Sequence, residues 1–157
     1  MFQTIVLALD GSEPSDQALG YARELAKESS GRVVAVHVRE IMAGRAAGPV
    51  HVDEDDIQNA IHAQVKQLSE DGITAELKVA SSMAGGPAHV IAETAENEGA
   101  DVIVTGSRGH TPLAGVVLGS VAQRLLHIAP CPVLVVPHGA ANANARSGMA
   151  THEAVAH

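Results

Sequence analysis

Gly106, Gly109 and Gly119, the last followed by Ser120, are spaced Gly-x2-Gly-x9-Gly-Ser directly after the apolar run at residues 102–105. A strand that feeds a glycine-rich turn and then a helix is suited to binding phosphate. The N–H groups of such a turn lie bare, and a helix N-terminus carries unpaired N–H groups at the positive end of its dipole. The Gly106 and Gly109 pair allows a tight turn with backbone close to a ligand, and Gly119-Ser120 adds N–H groups and a hydroxyl at the next helix start. The spacing predicts a loop that leaves the sheet and returns so that its two ends hold one polyphosphate. Arg108 and His110 lie where they either supply positive charge to it or remain solvated loop residues.

Asp10-Gly11-Ser12 ends the first apolar run and is a second candidate lip. A dinucleotide fold would carry Gly-x-Gly-x-x-Gly at this point, and a phosphate-loop NTPase would need Gly-x4-Gly-Lys-Ser/Thr; neither is present. A carboxylate beside a polyphosphate is repulsive unless it faces hydroxyls or a metal. Asp10 therefore places the phosphates over the loop that follows the fourth strand. His51, Asp53 and Asp55 are of metal-ligating type, but carboxylates at a helix start are already explained by the helix dipole. His37, on a strand, and His127, on a helix, read as structural histidines. Cys131, between two prolines, reads as a small structural residue.

The elements that must position these groups follow from periodicity. Residues 4–9 form a continuous apolar first strand, and a helix capped by Ser12 or Ser15 follows, with Ala18, Ala22, Leu25 and Ala26 on one face and Gly31 at its end. Residues 32–38 form a second strand. Ile57, Ile61, Val65 and Leu68 mark a second helix. Residues 73–79 alternate as an edge strand, with Ala75, Leu77 and Val79 on one side. Gly85-Gly86-Pro87 opens a third helix facing inward through Ala88, Ile91, Ala92 and Ala95. The fourth strand, the glycine loop, a helix over 120–129 and a fifth strand at 133–136 complete the series. This alternation predicts an α/β fold: one domain, a doubly wound five-stranded parallel sheet in the order 3-2-1-4-5, with helices on both faces. The switch point then falls between strands 1 and 4, where ligands bind at the strands' carboxyl ends. After residue 137 the composition turns to Ala, Asn, Gly, Ser and His without apolar periodicity, so 138–157 is expected to be a disordered tail on a 1–137 domain.

Composition narrows the function. The 157 residues are 46% hydrophobic with one Phe, one Tyr and no Trp, so the core is aliphatic, as in a sheet covered on both faces. A formal net charge of −8 and the lack of aromatics argue against nucleic acid as a partner. No run is long enough for membrane insertion, and one cysteine fits a reducing compartment; a cytoplasmic protein is expected.

The glycine spacing, Val-Leu-Ala-Leu-Asp10-Gly-Ser12 after the first strand, Gly-Ser-Val-Ala-Gln-Arg at 119–124 and Ala-Pro-Cys131-Pro-Val-Leu-Val-Val at the end resemble the nucleotide-binding branch of the universal stress protein family over residues 1–137. The resemblance implies an adenine nucleotide, usually ATP, with AMP or cyclic AMP as alternatives and Mg²⁺ possible through the phosphates. It implies phosphate contacts from Gly106, Ser107, Arg108, Gly109, Gly119, Ser120 and Val121, backbone contacts to adenine from Ala8 and Val38, and Asp10 beside the ribose. Two positions depart from some relatives: Ala122 lacks a hydroxyl, and Thr105 stands where an apolar residue is found.

No sequence feature singles out a catalytic base, so the first expectation is a nucleotide-binding stress-response regulator or sensor, with hydrolysis slow or absent. The alternative is a nucleotide-independent interaction or chaperone-like dimer. Under either, strand 133–136 is apolar on both faces at a sheet edge and needs cover; the resemblance implies a homodimer there. The regulatory partner protein and the stress signal stay open.

Overall fold

A computed structural model of the chain describes residues 1–40, 54–82, 86–107 and 118–137. They form β1 (Thr4–Ala8), α1 (Glu13–Ser29), β2 (Arg32–Glu40), α2 (Glu54–Glu70), β3 (Ala75–Ser82), α3 (Gly86–Glu98), β4 (Val102–Gly106), α4 (Ser120–Ile128) and β5 (Val133–Val136). The strands make one parallel sheet in the order β3-β2-β1-β4-β5, as the alternation of elements predicts. Residues 41–53, 83–85, 108–117 and 138–157 lie outside the described residues, and with them Arg108, Gly109, His110, His51, Asp53 and the expected tail.

The central strands carry unbroken apolar stretches, residues 5–8, 33–36 and 102–104, because both faces are covered. Ile5, Val6 and Leu7 are all completely buried and alternate between two clusters. Ile5 and Leu7 join Ala18, Ala22 and Ala26 of α1 and Ile61 and Leu68 of α2 on one face. Val6 joins Ala88, Ile91 and Ala95 of α3 and Leu125 of α4 on the other. Period two in the strands and period 3.6 in the helices therefore meet in a three-layer packing.

Three local expectations are corrected. Gly31 is not the residue that turns the chain out of α1: Ser30 does so, at φ 53°, with its N–H on the Ala26 carbonyl. Gly31 instead sits where a Cβ would come within 2.2 Å of the Phe2 carbonyl oxygen. Neither Ser12 nor Ser15 caps α1 in the expected way: Ser12 occupies the N-cap, but its side chain makes no cap hydrogen bond. The edge strand begins at Ala75 because Ile73 closes the end of α2, its N–H donating to Leu68 O at 3.0 Å. It runs on to Ser82, and Val79 on it is 42% exposed.

The N-terminal edge of the sheet is tied by charge. Asp101 Oδ2 accepts the N–H groups of Gln3 at 2.8 Å and Thr4 at 2.9 Å. Glu98 receives Arg32 at 2.9 Å and also Lys78. No described helix is long and apolar enough to cross a membrane.

Candidate functional site

The opposite edge of the sheet carries the candidate site. β1 and β4 are neighbours in register, Leu7 beside Val104, yet the chain leaves β1 for α1 on one face and β4 for α4 on the other. Divergence of two neighbouring connections opens a crevice at the carboxyl ends of the strands.

On the β4 side, Gly106 is required by a close approach. A Cβ there would lie 2.9 Å from the Cβ, carbonyl carbon and carbonyl oxygen of Pro14, so the end of β4 rests directly on the first turn of α1. Ser107 is buried; its N–H donates to Val136 O at 2.8 Å, and its carbonyl accepts the N–H of Gly119 at 2.6 Å. This last bond joins the two ends of the glycine-rich segment, bringing residues 107 and 119 together. It also means that the Gly119 N–H faces Ser107 rather than a ligand. Gly119 is the N-cap of α4, and Ser120 and Val121 form its first turn, where N–H groups have no partner within the helix. Gly119 accepts the first helical bond, from the Gln123 N–H at 3.0 Å. Ala122 and Thr105, the two departures from the family pattern, are both buried and serve packing.

On the β1 side, the Asp10 carboxylate organises its own turn. Its Oδ1 accepts the Ser12 N–H at 2.9 Å and the Ser12 hydroxyl, and the Asp10 N–H donates to Ser15 Oγ at 3.3 Å. Gly11 takes φ +78°, a left-handed conformation in which glycine is unstrained. Ala8 and Val38, at the ends of β1 and β2, are half-buried against the cluster on the α3–α4 face. Val121 packs against the same cluster, so Ala8, Val38 and Val121 lie on one side of the sheet.

His37 was read from sequence as structural and is buried, but its partners were not foreseen. Its Nδ1 is 3.0 Å from Leu9 O and its Nε2 is 2.7 Å from Glu54 Oε1. Alternation along β2 carries the signal: Val33 and Ala35 face α1 and α2, so His37 does too, toward the acidic start of α2. Burial acts to raise the Glu54 carboxyl. Hydrogen bonds from His37 and Gln58, with the charges of His37 and Arg39, outweigh it and hold the group below its ordinary 4.5. Cys131 is pushed above 9.0, first by burial and then by Asp101, which disfavours the reactive thiolate. Among the described residues no group of three or more His, Cys, Asp or Glu is placed to hold a metal ion.

The parallel order and the switch point between β1 and β4 define a doubly wound α/β domain. The model of the universal stress protein family matches residues 1–137, and the chain belongs to that family. It is 35% identical over 150 residues to universal stress protein YxiE of Bacillus subtilis (strain 168), covering 87% of this chain and 99% of YxiE. Its fold is similar to the solved structure of MJ0577, a universal stress protein of Methanocaldococcus jannaschii, with a TM-score of 0.74, 25% identity and coverage of 90% of this chain and 99% of that one. It is also similar to a universal stress protein solved in complex with cAMP, with a TM-score of 0.62, 25% identity and coverage of 86% and 97%.

Proposed function

We propose that the chain binds an adenine nucleotide in the crevice between β1 and β4 and acts as a cytoplasmic stress-response regulator through a homodimer. The observation that carries the reading is the closure of the glycine-rich segment. The Gly119 N–H to Ser107 O bond sets the N-terminus of α4 beside the end of β4, which itself rests on the first turn of α1. The N–H groups of Ser120 and Val121 then meet the phosphates, with Gly109, Arg108 and His110 adding to them from residues outside those described. Backbone dipoles of this kind hold an anion against the unfavourable net charge of −8. Ala8 and Val38 border the base and Asp10 the ribose. The relative solved with cAMP supports an adenine ligand here. ATP is the expected form, with AMP or cAMP as alternatives and Mg²⁺ carried by the phosphates. Hydrolysis is expected to be slow or absent, because no residue of the sequence is singled out as a catalytic base.

A thermal-shift series with ATP, AMP, cAMP and GTP, each with and without Mg²⁺, tests the reading. Stabilisation by at least one adenine nucleotide is expected, and no shift with any of them would refute it.

A nucleotide-independent dimer is the second reading, and both share one feature: Leu134, on β5 at the edge of the sheet formed by the described residues, is 36% exposed, an apolar side chain that a second copy would cover. Gly119→Val separates the two: under the first reading it abolishes nucleotide binding and leaves the dimer intact in light scattering.

A further inference from the structure

The turn that carries Asp10 is braced from behind by α2. Leu9 is buried, its N–H donates to Val36 O at 2.9 Å, and its carbonyl lies 3.0 Å from His37 Nδ1. The peptide groups on both sides of Leu9 are thereby fixed, and they are the ones that join Ala8 to Leu9 and Leu9 to Asp10. His37 is 4% exposed and meets Glu54, the first residue of α2, through Nε2 at 2.7 Å. The Leu9 carbonyl and the Glu54 carboxylate thus hold the His37 ring from its two nitrogens. Glu54 is held in turn by Gln58 at 3.3 Å and Arg39 at 3.7 Å. A second contact comes from Ile57, whose Cγ2 would lie 3.1 Å from a Cβ placed on Gly11. The first turn of α2 thus reaches the residue before Asp10 through His37 and lies beside the residue after it through Ile57.

We propose that Glu54, acting through His37 on the Leu9 carbonyl, is a positioning residue for the nucleoside end of the site. The inference rests on the adenine-nucleotide reading above. Period two along β2 gives the device its geometry: His37 faces α2 and grips the turn, while Val38, the next residue, faces the opposite side where the base is expected. Nothing in this linkage reaches the other end of the crevice, where the N–H groups of Ser120 and Val121 are proposed to meet the phosphates. Loosening the grip therefore costs ligands that contain the nucleoside and spares those that are only phosphate.

The test compares the full-length protein with Glu54→Leu and Glu54→Gln by calorimetry, using ATP, adenosine and inorganic tripolyphosphate. If loss of the clamp leaves roughly a tenth of molecules with the turn in place, the ATP and adenosine dissociation constants rise about tenfold in Glu54→Leu, while tripolyphosphate is unchanged. Glu54→Gln keeps an acceptor oxygen without the charge and should lose less, about threefold; it carries the test if Glu54→Leu does not fold. Undiminished ATP affinity in both variants overturns the positioning role, as does an equal loss for ATP and tripolyphosphate, which would mark a general loss of packing. A wild-type protein that binds no adenine nucleotide overturns instead the functional reading on which the proposal stands.

Discussion

Replacing Gly106 by alanine places a methyl carbon 2.9 Å from three atoms of Pro14, two of them main-chain. Carbon atoms in contact ordinarily sit about 3.5–4.0 Å apart, so roughly half an ångström or more must be recovered. No rotamer change supplies it, because the obstructing atoms are the carbonyl group and Cβ of Pro14 rather than the end of a flexible side chain. Either β4 or the first turn of α1 has to move. Overpacking of this kind costs about 1–3 kcal/mol, which for a domain of this size lowers the melting temperature by about 3–10 °C. The shift also displaces Ser107, whose N–H and carbonyl join β5 and the N-cap of α4, so nucleotide binding should weaken along with stability. Urea and thermal unfolding of Gly106→Ala measure the cost. Pro14→Ala is the control: it retains the three clashing atoms and should not rescue Gly106→Ala in the double variant. A Gly106→Ala protein within about 0.5 kcal/mol of wild type, or one rescued by Pro14→Ala, would refute the claim that main-chain contact demands glycine here.

Asp101→Ala leaves the N–H groups of Gln3 and Thr4 without their carboxylate and should cost about 1–3 kcal/mol in urea unfolding, with Asp101→Asn losing less. Glu98 titrates below its ordinary 4.5, first through the hydrogen bond from Lys78 and then through that from Arg32. A carboxyl depressed in the folded state contributes stability above its unfolded value and loses it as pH falls through the folded one. Glu98→Gln should therefore show a shallower fall in stability than wild type as pH drops below 4.5, and an unchanged slope would contradict the pairing.

The sheet order was legible because strands covered on both faces read as unbroken aliphatic runs. Helix-length connections between parallel strands then leave few topologies. Boundaries were less legible. Nothing local to Ile73 says that its N–H will close α2, and an alternating pattern gave no sign that Val79 would be left exposed. At the site, glycine spacing marked the segment from Gly106 to Ser120, and the structure supplies the reason for Gly106 itself, a contact with a proline far away in sequence. The His37 bridge was hidden for the same cause: it joins a strand, a turn and a helix start through three separate stretches of chain. Hydrophobic period shows which face His37 occupies, but not which acceptors await it there.

The most direct test of the account is an amide NMR titration of the intact protein with ATP. Binding at the switch point predicts that the resonances of Leu9, Asp10, Gly11 and Val38 shift together with those of Gly119, Ser120 and Val121, because the two lips of one crevice meet one ligand. Shifts confined to the cleft lined by His89, Glu93, Glu96 and Ile128 along α3 and α4, or no shifts at all, would contradict it.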